Sequence, residues 1–368
     1  MRGLSSLRGA SLFVCAFSAV FYLLGAVLLR RWLGCSRPTG FAAPEPVTFL
    51  RPIKTGEPHL EDDLRLFLSG IEPGDQVVFG TSSERDALLC RRLIEDFCLP
   101  DAICIECLPG LHENPKVNKL AQMEGFARHP LWIILDSDTC PDRAFLTTFR
   151  SEWTSCGADA VSAPYAFARD GGLASLLDAA GTSLSLWPGV ALLRAAGRVD
   201  FLTGACMGVP ARFVQAGGGW KCLGSRLADD FELGRLIRAA GGTIGITSVC
   251  ISIRIGTITW QEWISHQHRA FATYRLCNPW GSLGIPLTHG VAVSFVLLLG
   301  HPASAIRWLL HAQLLLLRTR CLRACPRPTT GQGPVIAWLV SLAEPFFWAS
   351  SLLLPCVRWG EQWIRPKR

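Results

Sequence analysis

Several things are scarce in this chain, and each scarcity closes a class of function. The Cys-x-x-C spacing of Cys104 and Cys107 has no second pair to complete a zinc site, so it reads as alternation along a strand. The 15 cysteines are scattered, several of them inside apolar runs, which suits reduced thiols in a cytosolic domain better than a disulfide framework. No stretch interleaves aromatic and clustered basic residues, so no platform for nucleic-acid bases is expected. Repeats and low-complexity tracts are absent. No clear small-x-small site precedes Arg30, which disfavours a cleaved signal peptide.

Charge itself is missing from long stretches. Residues 10–29 carry none, and twenty uncharged, mostly apolar positions are enough to span a hydrocarbon core of roughly 30 Å. An uncleaved N-terminal anchor is therefore expected, with Arg30 and Arg31 behind it. Residues 282–300 lack Lys, Arg, Asp and Glu, residues 303–317 hold one Arg, and residues 335–356 hold Glu344 and Pro345 midway. These predict two or three C-terminal membrane segments. Basic residues gather on the cytoplasmic side, so Arg30, Arg31, Arg37, Arg318, Arg320, Arg323 and Arg327 orient the central domain to the cytoplasm. A full last span would leave Arg358, Arg365, Lys367 and Arg368 outside, so either the last segment is re-entrant at Glu344-Pro345 or one of these segments does not span. The net charge of +7 comes substantially from these flanks and suits anionic lipid.

What is present lies between. Residues 131–141 form an apolar run that ends in Asp136-Ser137-Asp138, the pattern of a buried parallel strand whose carboxyl end opens on a ligand crevice. Asp136 and Asp138 there could hold a hard divalent cation, Mn2+ or Mg2+, whose other positions take diphosphate oxygens. The bland alternative is a strand-terminating turn. Strands are expected at 47–50, 75–80, 102–107 and 160–163, and helices at 59–69, 87–97 and 117–127, an alternation that argues a doubly wound, mostly parallel α/β sheet. Residues 40–46 read as a Pro/Ala-rich linker.

Residues 171–193 fit either a globular helix or a segment lying in the membrane surface. The small residues of 201–209 would let a backbone approach a ligand. Asp229 and Asp230 open a helix, where they either complement its dipole or supply a general base whose pKa its neighbour raises. Further strands are expected within 241–253, then an amphipathic helix over 260–274 with His266, His268 and Arg269.

In this order the motifs resemble family 2-type membrane glycosyltransferases of GT-A fold, and within them the ceramide glucosyltransferase-like group, including its bacterial hopanoid-biosynthesis members. Phe49-Leu-Arg-Pro-Ile-Lys54 with Gly56 is similar to the group's KPLKG turn. Asn114-Pro-Lys116-Val-Asn-Lys-Leu120 resembles NPKINNL, Asp136-Ser-Asp138 its aspartate motif, Asp229-Asp230-Phe231 its EDY/F, and His266-Gln-His-Arg269-Ala270 its (Q/R)xxRW. Two positions depart: Ser83 stands where an aspartate holds uridine, and the last motif carries His266 and Ala270.

The resemblance implies an inverting transferase. Asp230 would be the base, and Asp136 and Asp138 would hold the metal. Lys54, Ser83, Lys116, Asp136, Asp138, His266 and Arg269 would surround a UDP-sugar. A membrane lipid would be the acceptor, with a hopanoid hydroxyl taking N-acetylglucosamine first and ceramide taking glucose second. The organisation expected is an anchor at 1–31, a linker at 32–46, a GT-A domain at 47–281 and a membrane region at 282–368, in a bacterial inner membrane. A processive polysaccharide synthase and a degenerate, non-catalytic membrane protein are the rivals. The first is disfavoured by the missing Trp and the short C-terminal apolar region.

Overall fold

The computed structural model describes residues 2–34, 45–168, 171–326, 333–354, 356–359 and 362–364. Most of the expected linker, and Arg37, Arg327, Arg365, Lys367 and Arg368, lie outside the described residues.

The fold is built outward from β1 (Thr48–Pro52), whose five residues are all buried. Strands covered on both faces have no need for polar alternation, which is why apolar residues run consecutively through their middles. β1 lies parallel between β2 (Gln76–Thr81) and β4 (Leu131–Leu135), with Phe49 opposite Val77 and Ile133, and β3 (Ala102–Glu106) adds parallel to β2. The connections are α2 (Leu60–Leu68), α3 (Glu84–Asp96) and α4 (Pro115–Met123). Successive side chains point to opposite faces. Phe49 thus joins Phe67, Phe79 and Phe149 in one core, while Leu50 joins Trp132, Ile134 and Trp220 in the other.

Beyond β4 come α5 (Arg143–Cys156), β5 (Ala160–Ser162), β6 (Tyr165–Phe167), α6 (Leu173–Ala195), β7 (Cys206–Pro210) and α7 (Ala211–Ala216). Then follow α8 (Asp229–Ala239), β8 (Ile244–Ile246), β9 (Ile251–Ile253) and α9 (Trp260–Cys277). The main sheet runs β3-β2-β1-β4-β7-β5-β8, and β6 pairs with β9 at its side. Only β7 breaks the parallel pattern, lying antiparallel to both β4 and β5. The segment 201–209 therefore divides, because half of it is a sheet strand. Its small residues serve packing there: a Cβ on Gly208 would sit 2.6 Å from the Trp153 ring.

The terminal helices pack together on α6. α1 (Arg2–Leu33), α12 (Ala305–Ala324) and α13 (Pro334–Leu353) share a core of Tyr22, Leu29, Trp32, Leu184, Trp187, Cys321 and Ala337 with it. α10 (Pro279–Gly284) and α11 (Gly290–Gly300) lead into this bundle. Among the described residues three helices are long and apolar enough to cross a membrane, Gly9–Leu33, Leu173–Ala195 and Pro334–Leu353, or up to four if the bent pair Pro279–Thr288 and Gly290–Gly300 is one span.

Three expectations change. The segment 303–317 belongs to α12, which is not among these helices and carries Arg307, Arg318, Arg320 and Arg323. α13 continues as helix through Pro345, so no break interrupts it at Glu344. Arg318 is fully buried, 2.5 Å from Glu344, so it pairs inside the bundle and is not a loop charge. The segment 171–193 is helix α6, whose most apolar window is 61% buried.

Candidate active site

The acidic turn at the end of β4 is held from behind by its own carbonyls. The Thr139 N–H and hydroxyl donate to Asp136 O at 3.3 and 2.6 Å, and the Arg254 N–H donates to Asp138 O at 2.8 Å. Arg51 Nη2 donates to the carbonyls of Ser137 and Thr139 at 3.3 and 2.6 Å. With the backbone so engaged, the half-buried carboxylates of Asp136 and Asp138 are not needed to hold the turn. Arg51 is wholly buried, its guanidinium 5.0 Å over the Phe67 ring, and burial pulls it down to about 10 against the raising pull of Asp63.

Asn-Pro-Lys supplies the next part through helix capping. Asn114 accepts the N–H groups of Lys116 and Val117 at 2.9 and 3.1 Å, and Pro115 fits the first helical position, where no N–H is needed. The Asn114 amide also donates to Arg226 O at 3.1 Å and Asp229 Oδ1 at 3.4 Å, which joins the start of α4 to the start of α8. Lys116, in that first turn, places Nζ 2.7 Å from Asp136 Oδ1 and 3.3 Å from Asp229 Oδ2, and donates to Gly204 O at 3.2 Å. Burial alone would lower its pKa, but Asp136 and Asp229 outweigh burial and hold the ammonium charged well above its ordinary range.

Asp230 sits against the same group. A Cβ on Gly204 would lie 3.1 Å from Asp230 Oδ2 and 3.5 Å from Lys116 Nζ, so glycine is what lets the carboxylate close on this loop. Burial first, then Asp229, pushes Asp230 up to about 7, with Lys116 pulling the other way. Asp138 is also pushed up to about 7, by burial first and then by Asp136 and Glu57. Glu57 in turn accepts an ion pair from Lys54 at 2.8 Å.

On the far side, α9 carries Arg269, whose guanidinium is unpaired among the described residues. Burial lowers its pKa, opposed by the charges of Asp178 and Asp138. His266 Nδ1 lies 3.3 Å from Asp178 Oδ2, and Gln267 Nε2 donates to Asp178 Oδ1 at 2.9 Å. Ser83 caps α3, accepting the Asp86 N–H at 3.3 Å, and lines an open cleft of about 1000 Å³ with Thr55, Gly56, Glu57, Asp86 and Arg92.

The structure thus joins Lys116 directly to Asp136 and Asp229, sets Asp230 beside them across Gly204, and leaves Asp138 in the opposed fields of Glu57 and Lys54. Arg269 lies within their field. His266 stands one step back on Asp178, and the Ser83 hydroxyl already serves its helix.

Sequence reasoning missed Glu57, Asp178 and Tyr165. Tyr165 is raised well above its ordinary range, by burial first and then by Tyr274, Asp230, Asp136 and Asp138. Asp178 had a signal, being the one acidic residue in the apolar run 171–193. Glu57 and Tyr165 had none.

No group of three or more His, Cys, Asp or Glu side chains among the described residues is arranged to hold a metal ion. The two carboxylates of the turn nonetheless fit a hard cation completed by diphosphate or water, because half-buried Asp138 has no ion-pair partner among the described residues and the like charges of Asp136 and Glu57 stand beside it.

A mostly parallel sheet ending in an acidic turn, with a second carboxylate pair opening α8, is the GT-A fold. The fold is similar to that of mannosyltransferase PcManGT from Pyrobaculum calidifontis, solved with GDP-Man and Mn2+, at a TM-score of 0.55 and 14% identity over 93% of this chain and 97% of that one. TarS from S. aureus, solved with UDP-GlcNAc, matches at 0.41 and 10% identity over 86% and 95%. No curated protein sequence matches the chain. Residues 11–366 match the model of glycosyl transferase family 21, and the chain belongs to that family. The ceramide glucosyltransferase-like resemblance holds at the level of the family, and sugar transfer follows from it.

Proposed function

We propose that the protein is an inverting, membrane-integral glycosyltransferase that moves a sugar from a UDP-sugar to a hydroxyl of a membrane lipid. The observation that carries this reading is Asp230, pushed up to about 7 beside Lys116, Gly204 and the acidic turn. A carboxylate tuned to the working pH is suited to take a proton from an attacking hydroxyl. As the lipid oxygen bonds to the anomeric carbon, the bond to the diphosphate breaks on the opposite face and Asp230 accepts the hydroxyl proton.

The leaving diphosphate gains negative charge, which Arg269 stabilises with a planar fork of donors. Lys116 stays ammonium, so it opposes the rise that burial imposes on Asp136 and offers no competing base. A divalent cation held by Asp136 and Asp138 would add Lewis-acid stabilisation of the diphosphate. The GDP-Man and Mn2+ bound by PcManGT are in line with that donor class and cation.

Residues 47–281 form the catalytic unit in this reading, with the anchor at 1–31 and the membrane region at 282–368. Arg30 and Arg31 support a cytoplasmic catalytic face, in a bacterial inner membrane. A hopanoid hydroxyl accepting N-acetylglucosamine is the first substrate pair, and ceramide accepting glucose the second. The test is incubation of the detergent-purified chain with Mn2+, UDP-glucose or UDP-N-acetylglucosamine, and hopanoid or ceramide, with glycolipid read by mass spectrometry. Product from one pair, absent in Asp230→Asn, is the expected result. Failure of the wild type to bind UDP in the presence of metal would sink it.

A further inference from the structure

Asp178 is the one acidic residue of α6, in a helix otherwise apolar enough to cross a membrane, and it is 2% exposed. A buried carboxylate in such a helix is costly unless its oxygens are satisfied, which makes its retention informative. Both oxygens are satisfied by one helix. Gln267 Nε2 donates to Oδ1 at 2.9 Å and reaches the Asp178 carbonyl at 3.3 Å and Thr182 Oγ1 at 3.4 Å, while His266 Nδ1 lies 3.3 Å from Oδ2.

The two helices pack tightly at this point, and Ser185 Oγ and Tyr274 Oη, 3.1 Å apart, tie them again further along. A Cβ on Gly181 would come within 2.8 Å of Gln267 Oε1, so Gly181 allows the amide to lie flat on α6. The contact therefore fixes both the distance of α9 from α6 and its rotation about its own axis. Arg269 lies three residues beyond His266, on the same helical face. Its guanidinium is unpaired among the described residues, within electrostatic reach of both Asp178 and Asp138. Asp178 itself has no free oxygen to offer a substrate, so it acts through α9.

We propose that Asp178 is a positioning residue which, through Gln267 and His266, sets the turn of α9 that presents Arg269 to the terminal phosphate of the donor's leaving diphosphate. This rests on the nucleotide-diphosphate reading of the crevice. It differs from a merely structural role in one respect: the defect falls on the terminal phosphate and spares the rest of the nucleotide.

The experiment is titration of the full-length protein in detergent with UDP and with UMP, at fixed Mn2+, by isothermal calorimetry. Wild type is expected to favour UDP. Asp178→Asn keeps UMP affinity within about 2-fold and loses about 10-fold for UDP, the scale of one charge-assisted contact. Arg269→Met gives the same loss, and the double variant loses no more than Arg269→Met alone. Gln267→Met, which cuts the tie without touching the carboxylate, shows a smaller loss of the same kind and carries the test should Asp178→Asn fail to fold.

An unchanged UDP-to-UMP ratio in both folded variants would overturn the proposal, as would equal losses for the two ligands or additive losses in the double variant. A wild type that binds UDP no better than UMP would instead refute the diphosphate reading itself.

Discussion

At the scale of the residue, Asp230 makes the sharpest prediction because its tuning has a sign. Its folded-state group sits at about 7, and only the deprotonated form accepts a proton. The kcat/KM should thus rise about tenfold per pH unit below that value and level off above it. A bound cation draws Asp138 down, so Asp230 is left to set this limb. A profile flat from pH 5 to 8 would contradict the assignment. Asp230→Asn should retain nucleotide binding by calorimetry while turnover falls by about 10²- to 10⁴-fold. Lys116 gives a prediction of another kind. Lys116→Met would leave Asp136 and Asp229 facing each other without their cation, at a cost of about 3 kcal/mol, seen as a lowered thermal midpoint. Asp136, Asp138 and Asp230 are legible in the sequence because short acidic motifs at element ends announce themselves. Glu57 and Tyr165 are not, because no local pattern says which glutamate or tyrosine the fold will turn inward.

At the scale of the element, the central parallel strands are readable, whereas antiparallel β7 and the short side strand β6 are not. β1, β2 and β4 are centred on Phe-Leu, Val-Val-Phe and Trp-Ile-Ile, whereas β7 is Cys-Met-Gly-Val-Pro, whose Gly208 exists to admit Trp153 and erases the strand signal. Direction within a sheet also has no sequence mark, since it depends on how the chain returns after α6. The turn after β4 is an element whose support comes from elsewhere. Arg51 on β1 makes two charge-assisted bonds to its carbonyls, so Arg51→Met should cost about 2 kcal/mol or more. The same change should weaken Mn2+ binding through a loosened Asp138, and an unaltered metal titration would show that the turn holds its shape without Arg51. In the bundle, Arg318 pairs with Glu344 and donates to the Tyr22 hydroxyl, uniting α12, α13 and α1. Arg318→Met or Glu344→Leu alone strands a buried charge, at about 3 kcal/mol, whereas the double variant should recover most of the loss in detergent melting.

At the scale of the whole molecule, the sequence suggests a modular plan, an anchor, a linker and a catalytic domain, and the packing ties the modules together. The expected anchor α1 does more than tether. Trp32 Nε1 donates to Thr247 O at 2.9 Å beside β8, and its ring meets Trp187 of α6 edge-on at 6.1 Å. Tyr22, Leu29 and Trp32 are almost wholly buried against α6, α12 and α13. Burying side chains of this size is worth about 1.5–3 kcal/mol each, so removing three of them withdraws several kcal/mol from a fold whose total margin is of order 10. Such contacts are invisible in an apolar run, because residues that face lipid and residues that face protein share one composition. Deletion of residues 2–33 should therefore fail to release a working catalytic domain: the truncated chain should melt lower or aggregate, and bind UDP more weakly, even in detergent. The mechanical route is direct, since α6 carries Asp178, and Asp178 holds the helix that bears Arg269. A truncated chain with wild-type melting and wild-type UDP affinity would show instead that α1 is a detachable tether and that α6 keeps its place without it.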